Sequence, residues 1–178
     1  TVVFYAEEHQ IAKDGCVHEG FVASRQGLPM IPALAETIAI TKYLLMIEAT
    51  GVRAHFGLLS CGASVALIKT AKEKGLPVTC DVAMHQLHLT DHLIDGFNTL
   101  AHVRPPLRSE QDKHMLRQGL KDGVIDAICT HHEPLSSSAK MAPFAETQSG
   151  FTAFDSYVPF GIQLITEGLF TPLEWVEK

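Results

Sequence analysis

The 178-residue sequence predicts a parallel β-sheet covered by helices, an α/β fold, on the strength of two patterns. The same punctuation returns three times: a helix-forming stretch, a glycine, then a β-rich run. The β-rich runs are nearly continuous apolar strings, as expected where helices cover a sheet. Strands that alternate with helices build βαβ units and hence parallel pairing.

Val3-Phe4-Tyr5-Ala6 supplies a short first strand. Ile31, Ala35, Ile38, Lys42, Leu45 and Ala49 recur at three- and four-residue steps, predicting an amphipathic helix opened by Pro32. Ala49-Thr50-Gly51 closes it, because glycine takes the left-handed cap conformation without a Cβ clash. The run from Val52 to Ser60 follows as a strand. A second helix ends at Glu73-Lys74-Gly75, and the strand Leu76-Pro77-Val78-Thr79-Cys80-Asp81-Val82-Ala83 comes after it. A short strand is expected at Thr99–Val103. Ser109-Glu110-Gln111-Asp112 has the form of a capping box, with Asp where Glu or Gln is usual, and opens a helix through Met115, Leu116 and Leu120. Lys121-Asp122-Gly123 ends that helix, and Val124–Thr130 forms the last of four strands. The stretch from His131 to Gly150, with its run Ser136-Ser137-Ser138, reads as a long loop after a strand, where α/β proteins keep their sites.

Composition narrows the classes. The length fits one domain, typically ~100–200 residues. A chain 46% hydrophobic and 19% charged is too apolar for disorder. No run approaches the ~18 apolar residues of a membrane span, so a soluble protein is expected. The opening TVVFYAEE has neither a basic leader nor an apolar signal region, and its lack of an initiator Met reads as a processed or cut N-terminus. Fourteen Lys and Arg against 20 Asp and Glu give a net charge of −6, with no basic stripe for a phosphate backbone, which argues against nucleic-acid binding. The four cysteines, Cys16, Cys61, Cys80 and Cys129, form no CxxC pair and read as buried free thiols in a reducing, cytoplasmic compartment.

Ten histidines are many for this length, and their placement carries the interest. His55 lies inside a strand, His85 and His88 at and beyond a strand's C-terminal end, His131 and His132 just past another. Strand-end histidines around a barrel mouth can hold a metal and activate water. A buried or solvated structural role is the ordinary alternative for each one alone.

Ordered segments across almost the whole chain resemble the dihydroorotases, metal-dependent cyclic amidohydrolases of pyrimidine synthesis. His18-Glu19-Gly20 and the segment from Gly27-Leu28-Pro29 to Ala35-Glu36 are similar to that family's HEG…GLPxxPxxAE. Pro105-Pro106-Leu107-Arg108 resembles its NPPLR, Thr130–Pro134 its TDHAP, and Lys140–Gly150 its K…PFxxAPFG stretch. The resemblance implies an amidohydrolase-type (β/α)₈ barrel of which residues 1–178 cover about strands five to eight, as one partial barrel domain. A full barrel of this type needs ~250 residues. The family's first-strand HxH ligands and fourth-strand region would then precede residue 1. A half barrel exposes edge strands, so the chain is expected to be a fragment lacking the N-terminal half of its barrel, or to pair with a second chain.

The departures from the family pattern bear most on function. Where the family has a metal-binding His at the end of this chain's first strand, Tyr5 stands. In the family's HxCHVS segment His55 is kept, but the ligand position is Leu58. His131 replaces the Asp of TDHAP, which in the family binds metal and shuttles the proton. Two substrate-contacting positions are also changed, to Arg104 before PPLR and Leu135 after TDHAP. Met84-His85-Gln86 stands for PHH and Gln148-Ser149-Gly150 for PFG.

The family mechanism needs a metal-polarised hydroxide and a carboxylate to move the proton. Leu58 has no donor atom, Tyr5 ligates only as a phenolate with an ordinary pKa of ~10, and His131 lacks the anionic charge of the Asp it replaces. The resemblance therefore points to a non-catalytic relative with no cofactor, a structural subunit of the kind that, in some bacteria, assembles with the catalytic chain of aspartate carbamoyltransferase. Two other readings stand beside it. In one, His131, His132, His55 and His85 rebuild a zinc site for an active cyclic amidohydrolase that converts dihydroorotate to carbamoyl aspartate, although strand parity should turn His55 to the face opposite Leu58. Glu7, Glu8 and Glu133 are further acids that could recruit a metal, opposed by the positive charge of Arg104. In the other, Arg104 and Arg108 bind an acidic metabolite without turnover.

Overall fold

The computed structural model describes residues 1–178. Its order is β1 (Val2–Tyr5), α1 (His9–Ala12), β2 (Val17–His18), α2 (Phe21–Gln26), β3 (Met30–Ile31), α3 (Ala33–Thr50), β4 (Ala54–Gly57), α4 (Gly62–Glu73), β5 (Val78–Ala83), α5 (Glu110–Lys121), β6 (Ala127–Cys129), α6 (Phe154–Thr166) and α7 (Pro172–Val176). The four longer strands run parallel in the order β1-β4-β5-β6, in register at Val3–His55, His55–Thr79 and Asp81–Ala127. Sheet order follows chain order, the winding of a barrel built from successive βα units.

Strand alternation sorts the side chains. Ala54, Phe56, Val78, Cys80, Val82 and Ile128 join Ile40, Ile47, Leu116 and Leu120 in one core between sheet and helices. The opposite parity, His55, Gly57, Thr79 and Asp81 with Tyr5 and Cys129, faces the inside of the curved sheet. A second core, around Val17, Val22, Leu28, Val103 and Phe144, fastens β2 and α2 to the loops that follow β5 and β6, and β2 pairs in parallel with β3.

The caps are where sequence places them. Gly51, Gly75 and Gly123 have φ of 67°, 78° and 72°, ending α3, α4 and α5 in the left-handed region. Ser109 accepts from the Asp112 backbone N–H while the Asp112 carboxylate accepts from that of Ser109, a complete capping box on α5.

Three expectations change. The face α3 buries is Ala35, Glu36, Ala39, Ile40 and Ile47, whereas Ile38 and Leu45 are 38% and 63% exposed. The helix is apolar on both sides, so periodicity alone does not choose the side, and small Ala residues let it approach the sheet. Thr99–Val103 is no strand; Thr99–Ala101 makes a 3₁₀ turn capped by the Asn98 side chain, which accepts from the Leu100 N–H. The run read as a strand from Val52 to Ser60 pairs only over Ala54–Gly57, because Leu58 turns into the left-handed region with φ 61°.

Two C-terminal helices carry weak sequence signals, because α6 runs unbroken through Pro159, a residue that ordinarily ends a helix. They meet at Gly161, where a Cβ would lie 2.2 Å from the Trp175 ring. Gly161→Ala is therefore expected to push α7 off α6 at a cost of roughly 1–3 kcal/mol. Trp175 is the sole tryptophan, so a red shift of the emission maximum with a lowered melting temperature checks this.

Candidate functional site

The C-terminal ends of β1, β4 and β6 open on a cavity of about 610 Å³ lined by Tyr5, Glu7, His9, Leu58, Arg104, His131 and Glu133 among others. A larger groove of about 1000 Å³ runs outside between α3 and α4, but its walls are Leu34, Ile38, Leu45, Met46 and neighbours, with Lys42 the only ionisable group. The chemistry-bearing side chains are at the strand ends.

Three of the mouth's residues stand where the dihydroorotase resemblance implies metal ligands. Tyr5 is 71% exposed, its ring against Gly57, where a Cβ would lie 3.0 Å from it. Leu58 offers the mouth only hydrocarbon, and its backbone N–H donates to Asp81 Oδ1 at 2.8 Å. His131, at φ 45°, points Nε2 toward Glu133 Oε1 at 3.5 Å, while its Nδ1 is buried without a partner. Behind it His85, 1% exposed, stacks at 5.5 Å between centroids and has no hydrogen bond on either ring nitrogen. Burial, then the nearby His131, pushes the His85 pKa down to about 3.

His55 and His132 are committed elsewhere. His55 pairs Nδ1 with Thr79 Oγ1 and Nε2 with Asp81 Oδ2, both at 2.8 Å. The strand parity behind the expectation that it faces away from Leu58 does not carry through: β4 ends at Gly57, and Leu58, at φ 61°, lies past the strand and lines the mouth. His132 Nδ1 accepts from the Ala153 and Phe154 N–H groups at 3.2 and 3.0 Å and so caps the start of α6. The four imidazoles thus do not converge, and no three His, Cys, Asp or Glu side chains are grouped to hold one ion.

The acids and arginines are likewise engaged. Arg104 grips Glu7 through Nε, 3.1 Å from both carboxylate oxygens, and Nη2, 2.6 Å from Oε1. Glu8 pairs with Lys42 at 2.6 Å. Arg108, 2% exposed, is not at the mouth: it donates to Ser60 Oγ at 3.0 Å, His18 Nδ1 at 3.2 Å and the Ile31 carbonyl at 2.8 Å, with Glu36 Oε2 at 3.8 Å. Glu36 accepts from the Ser60 N–H at 3.0 Å and from its hydroxyl. Leu135 packs against Gly150, where a Cβ would meet its Cδ1 at 2.9 Å. Neither arginine is free for an acidic metabolite. The donors on this side of the mouth do not fit a metal of the dihydroorotase type: one ligand position is hydrocarbon, one an exposed phenol, and a guanidinium already supplies the positive charge.

Asp81, an acid inside an apolar strand, carries no sequence signal of a role, and Glu36 shows in the sequence only as the end of the GLPxxPxxAE segment. Asp81 is the hub below the mouth, accepting from His55, the Leu58 N–H and the Cys129 thiol.

No family model matches the sequence. Among curated proteins, a dihydroorotase-like protein of Pseudomonas aeruginosa is 45% identical over 95% of this chain and 40% of its own length. A dihydroorotase of Desulfotalea psychrophila is 39% identical over 99% of the chain and 42% of its own length. Among solved structures, the L-hydantoinase of Arthrobacter aurescens superposes with a TM-score of 0.81 at 22% identity, over 98% of this chain and 40% of that one. The chain thus spans about 40% of the length of the relatives it matches, and its parallel sheet is part of an amidohydrolase-type barrel. At 39–45% identity over 95–99% of its length, the segment is a relative of the dihydroorotases and dihydroorotase-like proteins.

Proposed function

We propose that this segment comes from a dihydroorotase-like protein of pyrimidine biosynthesis that does not hydrolyse dihydroorotate and serves as a structural subunit, with the catalytic chain of aspartate carbamoyltransferase as its partner. One observation carries the reading: Tyr5, Leu58 and His131 stand together at three positions where the family resemblance implies ligands, and none pairs a suitable donor with the anionic charge a divalent ion needs. Hydrolysis of a cyclic amide requires a polarised nucleophile and a group to move its proton. Glu7 is held by Arg104 and Asp81 by His55 and the Leu58 N–H, which leaves Glu133, 50% exposed and 3.5 Å from His131 Nε2, as the mouth carboxylate without a close partner and with no ligand set beside it to polarise a nucleophile. The relatives' names support the link to dihydroorotase, and the partner comes from the resemblance.

The test uses the complete polypeptide that carries this segment. Elemental analysis is expected to find no stoichiometric zinc and assay no dihydroorotate hydrolysis, with or without added zinc. Co-elution with aspartate carbamoyltransferase is expected in gel filtration. Near-stoichiometric zinc with turnover overturns the reading.

A further inference from the structure

We propose that Arg104 is the resident cation of the barrel mouth: its guanidinium balances charge and ties the end of β1 to the loop after β5 where a metal-bearing barrel uses a divalent ion. The inference rests on the metal-free reading above and adds what replaces the metal.

The cavity is lined by two carboxylates, Glu7 and Glu133, and by one permanent cation, Arg104. A half-buried carboxylate without a partner is costly. The planar fork of arginine meets both oxygens of Glu7, a bidentate geometry that a lysine ammonium does not reproduce. Glu7 lies two residues past β1, and Arg104 lies 97 residues further on, so the pair fastens the end of one strand to a distant turn. That turn is itself held. Gln86 Nε2 donates to the Pro105 and Pro106 carbonyls at 3.1 and 3.2 Å, and Lys140 Nζ donates to the His102 carbonyl at 2.9 Å. The guanidinium is therefore presented from a fixed base, as a metal would be from fixed ligands. Glu8, the neighbouring acid, has its own partner in Lys42 and does not compete.

A charge-balancing cation makes predictions that an incidental surface pair does not. In the complete protein, Arg104→Ala and Glu7→Gln are each expected to lower the melting temperature by roughly 2–4 °C. The double variant should fall no further than either single one. Low millimolar ethylguanidinium should restore part of the loss in Arg104→Ala and none in Arg104→Ala/Glu7→Gln, while equimolar urea or sodium chloride restores none. Additive losses, an unchanged melting temperature in Arg104→Ala, or rescue that does not depend on Glu7 would overturn the inference while leaving the metal-free reading in place. A zinc-dependent rise in the melting temperature of the unmodified protein would instead overturn that reading, and the inference with it.

Discussion

Arg108→Met is expected to destabilise the fold by roughly 3–5 kcal/mol, the scale for stripping one partner from a buried ion pair. Arg108 and Glu36 are 2% and 4% exposed, and every contact that compensates their burial is internal. Removing the guanidinium leaves the Glu36 carboxylate with only Ser60 and weak contacts from Cys61. It also strips donors from His18 Nδ1 and the Ile31 carbonyl, which join β2 and β3 to the sheet. Against a total stability of about 5–15 kcal/mol, this is a large fraction. The urea midpoint should fall sharply in Arg108→Met and recover in part in Glu36→Gln/Arg108→Met, since the double change removes the stranded charge as well as its partner. A double variant as unstable as the single one would mean that the arginine acts through its hydrogen bonds to β2 and β3 rather than through Glu36.

This cluster gives the surviving motifs a physical role. His18 comes from the HEG segment, Glu36 from the end of GLPMIPALAE, and Arg108 from PPLR. They meet in one buried network away from the mouth, so a chain can keep all three for folding while its strand-end residues change.

The sheet and its caps were legible because their causes are local. A glycine after a helix and a Ser-x-x-Asp box act within a few residues, and four apolar runs pair in chain order. The side of α3 that packs was not legible, because both sides are apolar and the sheet decides between them. The same limit applies at the mouth. Sequence identified His55, His85, His131 and His132 as strand-end imidazoles, but what each does depends on partners 21 to 46 positions away. Thr79 and Asp81 hold His55, the N-terminus of α6 holds His132, and His131 stacks on His85. Arg104 read as a charge that repels a metal; its partner Glu7, 97 residues earlier, was visible only in three dimensions.

Acid should weaken this protein well before its carboxylates titrate. Burial pushes His85 down to about 3, and it pushes His88 and His102 down to about 4, with Arg117 adding to the effect at His88 and Lys140 and Arg104 at His102. In the unfolded chain a histidine titrates near ~6.5. The folded pKa values lie below that, so below pH ~6.5 the unfolded state binds more protons and stability falls with pH. The contribution of these groups is complete above ~6.5 and declines through the window down to their folded values. For His85 alone the loss between pH 6.5 and 5 is about 2 kcal/mol, following the proton-linkage relation. His85 is the cleanest test, because neither ring nitrogen has a hydrogen bond to lose on substitution. His85→Leu should flatten the fall of melting temperature between pH 7 and 5 while leaving a residual slope from His88 and His102. An identical slope in the variant would mean that acid opens the His131 side of the mouth and lets water reach His85 without unfolding, which would separate the barrel mouth from the rest of the core as the first part to give way.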